Sequence, residues 1–264
     1  MHKASIATAA LIAGAMSLPA SAQTQVDPEE VNVVGVIVAT GQSVYDDTGD
    51  TGSQVFPLVY LRKGNLKVTG KEATYDLASS GNFTFSALGD LRIAGYDDSE
   101  TALTQGMEAR EDTLELGGQI AYRIGNFEAV AKVRADVLGR HEGYDLALQG
   151  AYQFEPWLGN FTRPYAGIAL RSEDLNNYYF GVPPEEALSP ANDTVGQRPL
   201  GRPVYSPGEA AVPYVGVLAI QAVSEKIALG LVVNHQWLPE EITDSPIVDR
   251  DAETSVLFMV GYIF

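Results

Sequence analysis

Apolar and polar residues alternate along much of this chain with a period of two. In residues 127–138 (FEAVAKVRADVL), every second position from Phe127 to Val137 is apolar. The intervening positions carry the charges Glu128, Lys132, Arg134 and Asp136. A strand places these two sets on opposite faces, whereas a helix would scatter the charges around its circumference. The pattern therefore predicts a β-strand with one apolar face and one polar face.

The same alternation recurs in ten further segments, and most of them are about ten residues long, the length that a tilted strand needs to cross a bilayer. The ten segments are 31–40, 54–62, 66–77, 83–93, 113–123, 144–154, 162–171, 211–222, 226–237 and 255–264. Aromatic residues cluster near the ends of the segments, as expected for interfacial girdles: Tyr122, Phe127, Tyr144, Tyr152, Phe154, Trp157, Tyr165 and Trp237. The sequence predicts an all-β, transmembrane, antiparallel up-and-down barrel; the alternative is a soluble sandwich or lipocalin-like barrel.

The number of strands is left open by this pattern. Eleven segments alternate, but single-chain bacterial barrels normally have an even number of strands. A break at Gly70 would divide segment 66–77 and give twelve strands. If segment 31–40 instead lay outside the barrel, ten would remain. We favour twelve.

The chain ends on an apolar strand with an aromatic last residue. One face of this strand carries Val256, Phe258, Val260, Tyr262 and Phe264. An isolated strand of this kind would aggregate, whereas closure against the first strand removes its free edge. The ending resembles the signal that the barrel assembly machinery recognises in outer-membrane proteins.

The N-terminus carries a secretory signal. Residues 1–22 combine a short basic start, an apolar run and the small triplet Ala20-Ser21-Ala22, which predicts cleavage after Ala22. We expect a periplasmic N-terminal segment at 23–30 and an outer-membrane barrel at 31–264. Removal of the signal leaves 16 basic and 34 acidic residues, a net charge of −18. This acidity excludes nucleic acid as a partner, since phosphate binding needs a basic surface.

Loop lengths orient the barrel, because such barrels have long extracellular loops and short periplasmic turns. If the C-terminus lies in the periplasm, the loops at 94–112, 172–210 and 238–254 are extracellular. The segments 124–126, 155–161 and 223–225 are then periplasmic turns. The six prolines of loop 172–210 predict an irregular cap with at most a short helix at 184–188.

Charged residues of both signs fall on the predicted inner faces of the strands. They are Asp90, Arg92, Glu115, Arg123, Glu128, Lys132, Arg134, Asp136, Asp145, Arg163 and Arg171. These residues either line a solute path or neutralise one another across strands and fill a narrow lumen. We favour the second interpretation.

The chemistry of the remaining residues argues against catalysis and against a cofactor. After cleavage of the signal the chain has two histidines, His141 in a short loop and His235 on an outward face, and it has no cysteine. No nucleophile and base are placed together by these positions. Acidic clusters in the loops, such as Asp46, Asp47 and Asp50, are either solvated or hold divalent cations at a lipopolysaccharide surface.

Three segments resemble the MipA/OmpV family, the MltA-interacting outer-membrane proteins. They are FPLVY at 56–60, NYYFGV at 177–182 and DSPIVDRD at 244–251, and the resemblance extends over residues 31–264. It implies a Gram-negative outer-membrane barrel in contact with lipid and lipopolysaccharide. For the family's namesake it implies a scaffold that joins a murein lytic transglycosylase to a murein synthase.

The resemblance leads to a first functional hypothesis and two alternatives. As a non-enzymatic scaffold, the chain would contact its partners through the N-terminal segment and through turn residues Glu155, Trp157, Asn160, Ser224, Glu225 and Lys226. The alternatives are a solute or ion channel, and a surface protein that acts in adhesion or stress adaptation through its acidic loops. A stable contact buries about 800 Å² on each partner, so several short turns would have to act together.

Overall fold

The computed structural model describes residues 32–45, 51–93, 96, 101, 103–157, 160–188, 194–195, 198–199 and 201–264. The predicted signal peptide, the N-terminal segment 23–30 and the acidic residues Asp46, Asp47 and Asp50 lie outside these ranges. None of the helices in the described ranges is long and apolar enough to cross a membrane.

The described chain is mostly β-strand. The strands are β1 (Val33–Gln42), β2 (Thr51–Lys63), β3 (Leu66–Thr69), β4 (Glu72–Ser80), β5 (Phe83–Arg92), β6 (Thr113–Ile124), β7 (Phe127–Asp136), β8 (Tyr144–Tyr152), β9 (Phe154–Trp157), β10 (Asn160–Arg171), β11 (Thr194–Val195), β12 (Arg198–Pro199), β13 (Ala210–Ala222), β14 (Ile227–Trp237) and β15 (Ala252–Ile263). Two helices, α1 (Glu173–Phe180) and α2 (Glu240–Thr243), and a 3-10 turn at Pro184–Glu186 lie between strands.

Antiparallel pairing closes the sheet into a barrel. Neighbouring strands pair in chain order, β13 pairs with β10, and β1 pairs with β15. Because β8 and β9 both pair with β10 and only Gln153 separates them, they form one wall strand. The small β11–β12 ribbon lies outside the wall. The wall therefore has twelve strands, as we predicted.

The twelfth strand arises at the predicted break. Gly70 has a φ of +58°, a left-handed conformation that favours glycine, and its turn separates β3 from β4. The ten-strand alternative is wrong, because β1 pairs with both β2 and β15.

The outer face of the barrel is apolar. We call the end of the barrel with the short turns the short-turn end, and the opposite end, with the long loops, the long-loop end. Exposed aromatic residues lie near the short-turn end. Phe83 lies opposite Tyr122 with ring centroids 4.8 Å apart, and Tyr152 lies 5.3 Å from Phe154. Tyr165 is an exception to the predicted girdle, because its side chain is buried in the barrel. It shares the inward side of β10 with Arg163, two residues earlier.

The long loop after β10 is more ordered than we predicted. The 3-10 turn at Pro184–Glu186 corresponds to the short helix expected there, but the eight-residue helix α1 was missed. Ser172 caps α1 by accepting a hydrogen bond from the Leu175 N–H, and Glu173 and Asp174 occupy the first turn. These residues are a helix-start signal that is present in the sequence. The prolines that follow led to the prediction of an irregular loop instead.

Candidate functional site: the barrel lumen and its two ends

Charged side chains fill one side of the lumen. Eight of the eleven residues predicted to face inward are buried: Asp90, Arg92, Glu115, Glu128, Lys132, Arg134, Asp145 and Arg163. Asp136 and Arg171 are half-buried at the long-loop ends of β7 and β10. Arg123 is exposed at the short-turn end of β6. The buried charges come from β5, β6, β7, β8 and β10.

Apolar side chains fill the opposite side of the lumen. Strands β1, β2, β10, β13, β14 and β15 contribute a buried cluster whose members include Leu58, Leu218, Val232, Leu257 and Met259. Over the stretch that forms this cluster, the inward faces of these strands are apolar as well as the outward ones. Buried polar side chains interrupt the inward faces elsewhere: Arg163 on β10, Asn234 and Gln236 on β14, and Glu253 and Ser255 on β15. The prediction of a polar inner face therefore holds for only part of the wall.

An ion-pair network occupies the lumen near the long-loop end. The Arg134 guanidinium donates to Asp90 and to Asp145, each at 2.6 Å. Arg92 donates to Glu115 and to Asp145, each at 2.7 Å. Lys71 lies 3.2 Å from Asp90. Three cations thus match three carboxylates, and each arginine joins two acids as buried charges require.

The loop between β7 and β8 adds His141 to this network. His141 Nδ1 accepts a hydrogen bond from the Gly143 N–H at 3.0 Å, which leaves the proton on Nε2 in the neutral ring. That nitrogen lies 3.2 Å from Glu115. The Asp136 carboxylate fixes the conformation of this loop, because it accepts hydrogen bonds from the backbone N–H groups of Leu138, His141 and Glu142. His141 therefore has a packing and hydrogen-bonding role here.

Loops and helices form an apolar cap above the network. We use the term cap for the buried cluster of Val44, Tyr45, Tyr96, Met107, Leu175, Tyr179, Phe180, Val182, Ala210, Val212, Leu238, Ile242 and Ile247. The Tyr45 hydroxyl donates to the Tyr179 carbonyl at 3.0 Å. Burial raises the pKa of Tyr45, Tyr96 and Tyr179 above the ordinary tyrosine value, so these hydroxyls stay protonated.

Two arginines join the cap to the loop after β5. The Arg110 guanidinium binds Glu186 at 2.7 Å and donates to the Tyr178 carbonyl at 2.7 Å. Arg202 is buried, and it donates to the carbonyls of Glu186 and Leu103. Sequence analysis missed both residues, because their acceptors are mostly backbone carbonyls that no residue type reveals.

Two of the three segments that carried the family resemblance meet in the cap, and the third, at 56–60, lies in β2. Ser245, from the segment DSPIV, donates its hydroxyl to the Phe180 carbonyl of the segment YYFGV at 2.6 Å. Val182 pairs with Tyr205 through two backbone hydrogen bonds. Both segments therefore have a packing role at the long-loop end.

The short-turn end has an open polar cavity of about 130 Å³. Its lining includes Arg62, Lys67, Glu72, Asp76, Arg123 and Glu128. Glu72 pairs with Lys132, and Glu128 pairs with both Arg123 and Arg163. Arg62 and Lys67 lie directly opposite each other on β2 and β3.

The predicted partner-contact residues lie at the same end but in two different settings. Ser224, Glu225 and Lys226 are exposed in the turn between β13 and β14. Glu155 and Trp157 belong to β9, and Asn160 begins β10. The predicted turn 155–161 was therefore too long, because pairing with β10 extends the strand; residues 158–159 lie outside the described ranges.

The last strand closes the wall. β15 pairs with β14 on one side and with β1 on the other, so it has no free edge along the paired residues. Phe258, Val260, Tyr262 and Phe264 are exposed, and Val256 is half-buried. Exposed apolar residues on a closed wall are what a lipid-facing surface requires.

Outer membrane proteins are found among the known proteins that are similar to this chain. The chain is 28% identical over 234 residues to the putative outer membrane protein YiaT of Escherichia coli (strain K12), covering 88% of this chain and 90% of that protein. It is 24% identical over 209 residues to outer membrane protein OmpV of Vibrio cholerae, covering 76% and 77%. Among solved structures, the COG4313 outer membrane channel from Pseudomonas putida F1 gives a TM-score of 0.41 at 11% identity, covering 92% of this chain and 99% of that chain. A likeness of that degree says nothing about activity.

Localisation and family follow from the sequence relatives. The relatives are outer membrane proteins, and the closed apolar-faced barrel fits that membrane. The family model for MltA-interacting protein MipA matches residues 34–264. The chain is an outer-membrane barrel protein, and it belongs to the MipA family.

Proposed function

We propose that this barrel works as a closed, non-enzymatic scaffold, which binds a murein hydrolase and a murein synthase at the inner face of the outer membrane. The observation that carries the proposal is the filled lumen at the long-loop end. Asp90 and Glu115 are completely buried there, beneath the apolar cap. A barrel blocked in this way is better suited to holding partners than to passing solutes.

The charges in the network also oppose conduction. Each of its three carboxylates already has a cationic partner within 3.2 Å. A hydrated ion could pass only if these pairs separated, and a buried charge that loses its partner costs several kcal/mol. We therefore expect the lumen to stay closed while the network is intact.

The binding surface would lie at the short-turn end. Ser224, Glu225 and Lys226 are exposed in one of its turns, and the neighbouring turns add area around the rim. The matching family is described as MltA-interacting, which supports the same class of partner for this chain. The small size of each turn favours a contact that spans several of them.

Binding of purified partners tests the scaffold. The refolded mature chain, immobilised in detergent, should retain a lytic transglycosylase and a murein synthase. The charge reversal Glu225→Lys with Lys226→Glu should weaken retention at least tenfold, because rim charges contribute to recognition. The matched control is Glu111→Arg with Arg140→Glu, which swaps the charges of an exposed ion pair at the other end and likewise leaves the net charge unchanged. Equal retention by wild type and by an unrelated barrel would contradict the proposal.

A channel is the second candidate, and the polar cavity at the short-turn end is the observation that favours it. Planar bilayers distinguish the two functions. We expect the wild-type barrel to give no conductance steps under conditions in which an open porin conducts. Steady conductance by the wild type would show that the cap opens and would favour the channel.

A further inference from the structure

We propose that the cavity at the short-turn end is a binding site for a compact anion, a carboxylate or phosphate group, held by Arg62 and Lys67. The site does not depend on the scaffold function. It is reached from the periplasmic side of the barrel, beside the turn at Gly64 and Asn65.

The first argument is the arrangement of the two cations. Arg62 on β2 is the register partner of Lys67 on β3, and both side chains line the cavity. Like charges directly opposite in a sheet repel each other and lower stability. In the described part of the chain, neither side chain forms an ion pair with an aspartate or glutamate. An anion between them would remove the repulsion.

The second argument is that the carboxylates that line the cavity already have ion-pair or hydrogen-bond partners. Glu72 pairs with Lys132, Glu128 pairs with Arg123 and Arg163, and the Ser86 hydroxyl donates to Asp76 at 2.6 Å. The cavity lining has three cations, Arg62, Lys67 and Arg123, and three carboxylates, Glu72, Asp76 and Glu128. Lys132 and Arg163 pair with Glu72 and Glu128 from outside the lining, which raises the local count to five cations against three carboxylates. This local excess of two positive charges lies in a chain whose net charge is −17.

The size and chemistry of the cavity limit the ligand. A volume of about 130 Å³ is large enough for a small oxyanion together with waters, since about 10–15 Å³ of such space suffices for one water. The planar Arg62 guanidinium can donate to two oxygens at once, and Lys67 adds a point charge. Hydroxyl groups of Thr74 and Thr84 also line the cavity. The anion could belong to a murein stem peptide or to a phosphate source.

Calorimetric titration of the refolded full mature barrel in detergent tests the site. The probes are inorganic phosphate, the dipeptide D-alanyl-D-alanine with an acetylated amino group, and the C-terminal amide of that acetylated dipeptide as a neutral control. We expect saturable binding of at least one anionic probe and none of the amide. Binding of phosphate alone would indicate a phosphate source, and binding of the dipeptide would indicate a peptide carboxylate.

Variants connect the binding to the two cations. Arg62→Gln with Lys67→Gln should lower the affinity for the bound probe at least tenfold, and Lys67→Gln alone provides a milder change if the double variant does not refold. Arg140→Gln, at an exposed arginine of the long-loop end, should bind like the wild type. Absence of saturable binding in the wild type, or equal affinity in the Lys67→Gln and wild-type barrels, would overturn the proposal. Neither result depends on whether murein enzymes bind.

Discussion

Charged side chains are paired differently at the two ends of the barrel lumen. At the long-loop end, Arg92 and Arg134 each contact two carboxylates beneath the cap. At the short-turn end, Arg62 and Lys67 lie side by side beside a cavity, and Arg123 reaches out with more than half of its side chain exposed. The first arrangement pairs every charge of the network in the packed interior. The second leaves charge beside an open cavity, at the end that we expect to face the periplasm.

The largest expected effect comes from breaking the network at the long-loop end. Arg134→Met leaves Asp90 and Asp145 buried with fewer cations, and we expect the free energy of unfolding to fall by about 3–5 kcal/mol. Urea unfolding of the refolded barrel, followed by tryptophan fluorescence, measures this loss. The control is Arg140→Met, because Arg140 and Glu111 form an exposed ion pair worth about 1 kcal/mol or less. Equal losses in both variants would contradict a buried network.

A smaller and more local effect is expected in the cap. Ile242→Ala removes part of a completely buried side chain, and we expect a loss of about 2–4 kcal/mol in the stability of the cap. Hydrogen exchange should become faster at the paired N–H groups of Val182 and Tyr205, while the wall strands stay protected. Val204→Ala, at an exposed position, is the matched control. Unchanged exchange in Ile242→Ala would mean that the cap does not depend on this packing.

The smallest effect is expected at the rim of the short-turn end. Arg123→Gln should cost about 1 kcal/mol or less, because 59% of the Arg123 side chain is exposed and Glu128 retains Arg163. Arg163→Gln should cost several times more, because Arg163 is buried. The same urea unfolding measures both variants. If the order were reversed, burial would not decide what the loss of a charge costs at the short-turn end.

Much of the wall could be predicted from the sequence because a lipid-facing strand imposes a strictly local rule. Each outward position must be compatible with lipid, so alternation marks the strands residue by residue. The positive φ that only glycine adopts readily also made Gly70 recognisable as a break. The irregular extracellular loop was a poorer prediction, since the capping of α1 by Ser172 was overlooked.

The candidate site was less predictable, because its parts depend on which strands become neighbours. Arg62 and Lys67 were not among the predicted inward charges, and the alternation did not show that β3 would place them opposite each other. The predicted inward charges gave no sign that the other side of the lumen would be apolar. That division appears only when β1, β2, β13, β14 and β15 pack around the same interior as β10.

The sequence by itself therefore determined the barrel and the outward faces of its strands, since these follow from residue-by-residue alternation. It favoured twelve strands through the break at Gly70, and the pairing of β1 with β2 and β15 excluded ten. Tertiary structure alone decided which charges meet and what closes the lumen. Arg92 reaches Asp145 across 53 positions in the chain, and Tyr45 reaches Tyr179 across 134. Such contacts depend on the stagger between strands and on the path of the loops, and a closed barrel fixes both only when all its strands have paired.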